Sequence, residues 1–164
     1  MELNKVNKKG FTLIETLVYL ALFGAIFTSV ISFVITVSGY NNSVEQRNEI
    51  NIETLFINEH ISDSFKKGTT IDTVNSTFNS DNGVLRINVS GGYVEYSIVN
   101  SRLNFKSNLV NYYLTDSKFS LSKLNFKKVL DSNNNVVGIK TSIYMSYPKD
   151  SKVNKTIDTF YRLP

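Results

Sequence analysis

The pattern of hydrophobic and polar positions changes twice along the 164 residues. From Thr16 to Ser38 there is no charged residue, and most positions are apolar. From Val44 to Phe65 apolar residues recur every three or four positions, whereas beyond Gly68 short alternating runs take over. The pattern therefore predicts a continuous apolar segment, an amphipathic helix and a strand-rich region, in that order.

The apolar run is long enough for a helix that crosses a hydrocarbon layer of ~30 Å, and we place the transmembrane part at about residues 11–38. A secretory signal peptide is the alternative interpretation, but the run is too long and no small-residue cleavage signal follows it. Lys5, Lys8 and Lys9 precede the run. The positive-inside bias predicts a cytoplasmic N-terminus and a C-terminal part outside the cytoplasmic membrane.

The helix is expected to continue beyond the membrane as an amphipathic half. Its apolar face consists of Ile50, Leu55, Ile57, Ile61 and Phe65. Lys66 and Lys67 followed by Gly68 suit a helix end, because cations favour the negative terminus and glycine favours a left-handed cap. One helix over residues 11–67 is therefore predicted.

Residues 68–164 are predicted to form a mainly β headgroup. The expected strands are Leu85–Val89, Tyr93–Val99, Leu103–Phe105, Leu121–Leu130, Gly138–Tyr147 and Thr159–Arg162. Turns at Gly91-Gly92, at Asn100-Ser101 and in the Asn-rich stretch 131–135 separate them. The predicted fold class is α+β, with the long helix packed on a C-terminal antiparallel β-sheet headgroup.

Composition limits the chemistry of the chain. Cysteine is absent and histidine occurs once, so disulfides, thiol nucleophiles and zinc-thiolate sites are excluded. The formal net charge is +4. His60, the single histidine, lies on the predicted helix with no nucleophile motif nearby, and we interpret it as a surface or packing residue. We predict no enzyme activity and no cofactor.

Glu15 places a charged side chain at the start of the apolar segment. An ionised carboxylate in a membrane costs a few kcal/mol unless it finds a partner, and it indicates a functional site by default. The alternative is a carboxylate that lies near the interface and reaches water.

The residues Gly10-Phe11-Thr12-Leu13-Ile14-Glu15, preceded by lysines and followed by an apolar helix, closely resemble the class III signal of type IV prepilins and pseudopilins. The resemblance implies that prepilin peptidase cleaves after Gly10, removes a cytoplasmic leader (residues 1–10) and leaves an N-methylated Phe11. It also implies that the helix is retained as the filament core. The new terminal amine would then lie close to Glu15, so that the carboxylate of one subunit can partner the amine of another and set the register of assembly.

Two glycines of the helix are candidates for local flexibility. Gly24 matches a position where many pilins carry glycine, whereas Ser32 replaces the proline common in major pilins. Without that proline, Gly24 and Gly39 are the weak points, each costing about 1 kcal/mol relative to alanine. The departure favours a minor pilin or pseudopilin over a major pilin.

The headgroup offers one candidate for DNA contact. Lys123, Lys127 and Lys128 are interleaved with Phe119 and Phe126, a combination that suits single-stranded nucleic acid. A strand with a basic solvent edge is the favoured alternative.

No metal site is predicted. Glu45, Glu49 and Glu53 follow one line of the helix and are interpreted as a solvated face. Asp131, Asn133 and Asn135 have the spacing of the first donors of a calcium loop, but Val136 replaces the required glycine, so an Asn-rich turn is favoured.

We therefore expect a structural or assembly subunit of a type IV pilus, type II secretion or competence filament. Its expected partners are prepilin peptidase, other pilin or pseudopilin subunits, the membrane assembly platform and membrane lipid. Its expected location is the cytoplasmic membrane, in a single pass, and then an extracellular or periplasmic filament. The alternative is a tip-located subunit whose headgroup captures DNA or a surface ligand. A membrane-anchored enzyme is the third class, and the sequence shows no grouping of polar residues for it.

Overall fold

The computed structural model describes residues 12–148 and 150–162. Within them one helix precedes a set of antiparallel strands. The helix is α1 (Leu13–Lys67). The strands are β1 (Gly68–Ile71), β2 (Leu85–Val89), β3 (Gly92–Val99), β4 (Arg102–Ser107), β5 (Asn111–Tyr113), β6 (Ser120–Leu130), β7 (Val136–Tyr147) and β8 (Asp150–Arg162). The predicted α+β layout is confirmed.

The chain divides into two compact units between Asn42 and Ser43. The first unit contains the apolar start of α1. The second contains the amphipathic end of α1 together with all the strands.

The first sheet has the strand order β1-β2-β3-β4-β5, and all its neighbouring strands pair antiparallel. Gly91 adopts a φ of 87° in the turn between β2 and β3, a conformation that glycine adopts without steric cost. Asn100 and Ser101 have φ values of 52° and 57° in the turn between β3 and β4. Both are tight hairpin turns, as the sequence pattern predicts.

The second sheet has the order β6-β7-β8 and is also antiparallel. In β7 the odd-numbered residues from Ile139 to Met145 are buried, while the even-numbered residues between them are not. Strand β8 is much longer than the predicted segment 159–162. Its first half was missed because polar residues such as Lys155 take inward positions between Val153 and Ile157, which breaks the apolar alternation.

One core joins the two sheets to the end of α1. Its fully buried side chains include Ile57, Ile61, Leu85, Ile87, Tyr96, Leu103, Leu124, Phe126, Ile139 and Ile143. Burial of a large apolar side chain contributes roughly 1.5–3 kcal/mol, so this cluster is the main support of the headgroup.

The buried face of α1 differs from the prediction at one position. Ile50, Ile57, Ile61 and Phe65 are buried, but Leu55 is 68% exposed. Leu55 precedes Ile57 by two residues, about 200° around the helix, so the two side chains cannot share a face.

The end of α1 is fixed by contacts with β8. The Phe65 ring stacks on Tyr161 with centroids 5.1 Å apart. Asn58 Oδ1 accepts hydrogen bonds from the hydroxyls of Tyr161 at 2.7 Å and Thr159 at 3.1 Å. Gly68 does not act as a separate cap: it is buried and begins β1 directly after α1.

Candidate functional site

The first turn of α1 carries a capping arrangement. The backbone N–H of Glu15 lies 3.3 Å from Thr12 Oγ1 and 3.1 Å from the Thr12 carbonyl oxygen. Thr12 and Glu15 thus have the spacing of a capping box, in which the hydroxyl of the residue before the helix accepts from the third helical N–H. This signal could have been found in the sequence and was missed. Gly10 and Phe11 lie outside the described residues.

The apolar segment of α1 is exposed along its whole length. Large side chains from Leu13 to Val37 remain open to solvent, among them Leu20, which is 70% exposed, and Phe23, which is 68% exposed. By length and composition this helix can cross a membrane: its most apolar window has a mean hydropathy of 2.3 and no residue buried within the molecule. Such a surface requires lipid or other apolar helices around it.

Three hydroxyl groups of this segment find acceptors within the helix. Thr28 Oγ1 donates to the Gly24 carbonyl at 3.0 Å, Ser29 Oγ to Ala25 at 2.9 Å and Thr36 Oγ1 to Ser32 at 2.8 Å. Each bond returns to the carbonyl four residues earlier. These side chains therefore do not expose unsatisfied polar groups to hydrocarbon.

Gly24 and Gly39 lie inside α1. A Cβ added at either position would meet no atom within 4 Å. Packing within the chain therefore does not demand glycine at either site. Their proposed role in helix flexibility stays a prediction.

Comparison with known proteins identifies a motif at the N-terminal end of the chain. Residues 5–31 match the family described as the prokaryotic N-terminal methylation motif. The chain carries the class III signal of type IV pilins and pseudopilins. No curated protein and no solved structure gave a significant match.

The class III signal has consequences for the rest of the molecule. It supports a type IV pilin-like or pseudopilin subunit, a kind of protein that is structural. Together with the apolar helix, it fits membrane anchoring, processing by a prepilin peptidase and assembly with other pilins.

The three lysines proposed for DNA contact are not brought to one surface. Lys123 and Lys127 line the same recess on one face of the second sheet. Lys128 follows Lys127 in a regular part of β6 and therefore points to the other face, where its ammonium group lies 4.9 Å from the centroid of Phe78. Lys123 Nζ is 3.4 Å from Asp81 Oδ1, which partly neutralises it.

Glu45, Glu49 and Glu53 were predicted to form a solvated face of the helix, but two of them contact the headgroup. Glu49 accepts hydrogen bonds from Lys118 Nζ at 2.9 Å and from the Tyr147 hydroxyl at 3.0 Å. Glu53 accepts from the backbone N–H of Asp116 at 2.9 Å. Only long-range contacts reveal this role, and the sequence holds no local signal for it.

His60 is half-buried between the helix and the first sheet. Its Nδ1 lies 2.8 Å from the Tyr96 hydroxyl and its Nε2 3.2 Å from the Tyr112 hydroxyl. Its ring meets Phe105 edge-on at 4.8 Å. Burial lowers the pKa of His60 below its ordinary value, because the imidazolium loses hydration there. With two tyrosine hydroxyls and the Phe105 ring as its contacts, His60 has a packing role.

The Asn-rich turn uses its oxygen atoms internally. Asp131 Oδ1 accepts from the backbone N–H groups of Asn133 and Asn135, each at 2.8 Å. Backbone bonding to Asn135 lowers the pKa of Asp131. Within residues 12–148 and 150–162, no group of three or more His, Cys, Asp and Glu side chains is placed to hold a metal ion.

Proposed function

We propose that this chain is a minor pilin or pseudopilin that prepilin peptidase cleaves between Gly10 and Phe11. The proposal is supported by the class III signal at residues 5–31. This signal overlaps the start of a helix whose apolar side chains are exposed. An ordinary anchor would need the apolar helix but not the motif. The proposed product begins with N-methylated Phe11 and keeps the whole of α1.

Glu15 is the proposed register residue of assembly. Its side chain is exposed in the first turn, among apolar neighbours such as Leu13 and Ile14. An unpaired carboxylate at the centre of a membrane helix costs roughly 2.5–3.5 kcal/mol on insertion scales, and this cost falls when a partner cation is present. The terminal amine of Phe11 in a neighbouring subunit would supply that cation.

In the proposed filament the apolar segments of neighbouring subunits pack together as the core. We propose a filament of the type IV pilus, type II secretion or competence kind, reached from a cytoplasmic membrane state with the N-terminus inside. The alternative, DNA capture at the tip, is not favoured, because Lys127 and Lys128 lie on opposite faces of β6 and cannot contact the DNA from one surface.

The deciding experiment is intact-mass and N-terminal peptide mass spectrometry after expression with a prepilin peptidase. We expect a chain that begins at N-methylated Phe11, and its loss in Gly10→Leu. Gly39→Leu is the matched control, since the added side chain begins in open space and leaves the motif intact. An uncleaved wild-type chain, or one cut after the apolar segment, would overturn the proposal.

Assembly is tested separately with Glu15→Gln. We expect this variant to be cleaved normally but to be missing from sheared filaments. Glu45→Gln, the same change at an exposed position further along the helix, should be incorporated like the wild type. Equal incorporation of both variants would remove Glu15 from the register mechanism.

A further inference from the structure

A small recess opens on the outward face of the second sheet. It has a volume of about 130 Å³. The lining residues are Lys123, Asn125, Lys127, Lys140, Ser142 and Asp158. A cavity of about 150 Å³ accommodates benzene, so the recess encloses only part of a larger ligand, and the rest would lie over the open face of the sheet.

Two cations of the recess face each other across neighbouring strands. Lys127 of β6 is the cross-strand partner of Lys140 of β7. Within the described ranges neither ammonium group forms a salt bridge or side-chain hydrogen bond. Like charges directly opposite each other in a sheet are destabilising. An anion bound between them would remove that repulsion.

A buried amide lies beside these cations with half of its hydrogen-bonding capacity unused. Asn125 is only 8% exposed, and its Nδ2 donates to Asp81 Oδ1 at 3.3 Å. Because the Asp81 carboxylate accepts and does not donate, this bond fixes the orientation of the amide. Asn125 Oδ1 has no partner among the residues that the structure describes. A buried acceptor without a donor is unfavourable, and because this oxygen has almost no accessible surface, a ligand could donate to it only by displacing the neighbouring side chains.

The other polar groups that line the recess limit which class of ligand it can bind. Ser142 is the cross-strand neighbour of both Asn125 and Asp158, so the three form one row across the sheet. Asp158 would repel a plain inorganic anion but would accept a hydrogen bond from a hydroxyl group. The recess therefore combines cations for an acidic group with acceptors for hydroxyl donors.

We propose that this recess binds one acidic sugar unit, a pyranose that carries a carboxylate or a phosphate. Lys127 and Lys140 hold the acidic group, while the exposed Asp158 accepts a hydrogen bond from a ring hydroxyl. Lys123 completes the cationic rim, although Asp81 already neutralises part of its charge. The proposal stands independently of cleavage at Gly10 and of filament assembly.

The test is saturation-transfer NMR on the full chain in mild detergent. The probes are glucuronate, glucose 6-phosphate, uncharged glucose, inorganic phosphate and duplex DNA. We expect binding of the first two, with glucose and inorganic phosphate bound much more weakly. Because exposed charge pairs contribute up to ~1 kcal/mol, Lys127→Gln and Lys140→Gln should each weaken binding by about three- to fivefold.

Lys128→Gln is the matched control, since it removes the same charge one residue away on the other face of β6. It should leave sugar binding unchanged. Lys127→Gln should also raise the melting temperature at low salt, because it removes the repulsion from Lys140. This second measurement shows that lost binding does not come from misfolding.

Four outcomes would overturn the proposal. Absence of binding to either acidic sugar would remove the site. Equal affinity for inorganic phosphate would mean that the hydroxyl acceptors are not used. Equal affinity for glucose would mean that the lysines are not used. DNA binding that depends on Lys128 as much as on Lys127 would assign the lysines to a nucleic acid surface.

Discussion

Tyr147 in β7 donates a hydrogen bond from its hydroxyl to Oε2 of Glu49 in α1, at 3.0 Å. The other oxygen of this carboxylate accepts from Lys118 in the loop before β6, at 2.9 Å. These bonds to Lys118 and Tyr147 lower the pKa of Glu49. One helix carboxylate thus ties α1 to the second sheet and to the loop that connects the two sheets.

The first prediction concerns this carboxylate. Glu49→Gln should lower the melting temperature at neutral pH, because the amide cannot replace the charge that Lys118 contacts. The pKa of Glu49 is lower in the folded than in the unfolded chain, so its contribution is present above its ordinary value of 4.5 and is lost as the pH falls below it. The measurement is thermal denaturation of the full chain in detergent, followed by tyrosine circular dichroism.

Glu45→Gln serves as the control for this prediction, because Glu45 is exposed on the same helix and forms no side-chain hydrogen bond or salt bridge with the described strands. The difference between the two variants should disappear in acid. An identical melting temperature for both at neutral pH would contradict the role of Glu49.

The second prediction concerns the buried hydroxyl of Tyr96. This hydroxyl lies 2.7 Å from Ser64 Oγ and 2.8 Å from His60 Nδ1, and the residue is fully buried. Tyr96→Phe removes the partner of the buried Ser64 hydroxyl and of Nδ1 on the half-buried His60, and it should cost about 1–3 kcal/mol in urea denaturation. Tyr112→Phe should cost less, since Tyr112 is 44% exposed and water can replace its hydroxyl. Equal losses would show that burial of the Tyr96 hydroxyl contributes nothing.

The third prediction is a pH dependence that His60 introduces. Burial lowers its pKa from the ordinary 6.5, so the unfolded chain binds the proton more readily and stability falls as the pH drops below that value. The charged or titratable groups around the ring are Glu59, Asp63, Lys66, Lys67, Tyr96 and Tyr112.

His60→Gln should abolish the loss of stability between about pH 7 and about pH 5, since no other histidine titrates in this range. The measurement is the melting temperature across that range. Glu49→Gln should keep the slope, because the Glu49 contribution changes only at lower pH. A slope that persists in His60→Gln would assign the effect to another group.

Local patterns explain why the larger part of the fold could be predicted. The helical spacing of Ile57 and Ile61 and the turn residues at Gly91 and Asn100 each specify their element through neighbours in sequence. The single expected sheet was wrong in one respect, because the strands divide into two sheets. Which strands pair depends on distant contacts, and alternation carries no such information.

The candidate sites also divide into those that a local sequence pattern predicts and those that depend on distant contacts. The motif from Gly10 to Glu15 is a local signal, and the matching family covers it. The tie between Glu49 and Tyr147 spans 98 residues, so only the folded chain reveals it. Likewise, Lys127 and Lys140 become neighbours only through the register of β6 and β7.

The last prediction separates two glycines that look alike in the sequence. A Cβ at Gly138 in β7 would lie 2.5 Å from the backbone oxygen of Tyr161 and 2.6 Å from the Phe160 ring. Gly138→Ala should therefore destabilise the headgroup by about 1–3 kcal/mol, the usual cost of an overpacked site. Gly39→Ala should be neutral or stabilising, because it meets open space within a helix and alanine favours that conformation by about 1 kcal/mol. Urea denaturation of both variants in detergent measures the contrast. If Gly138→Ala proved as stable as Gly39→Ala, β8 would have to lie further from Gly138 than this structure places it.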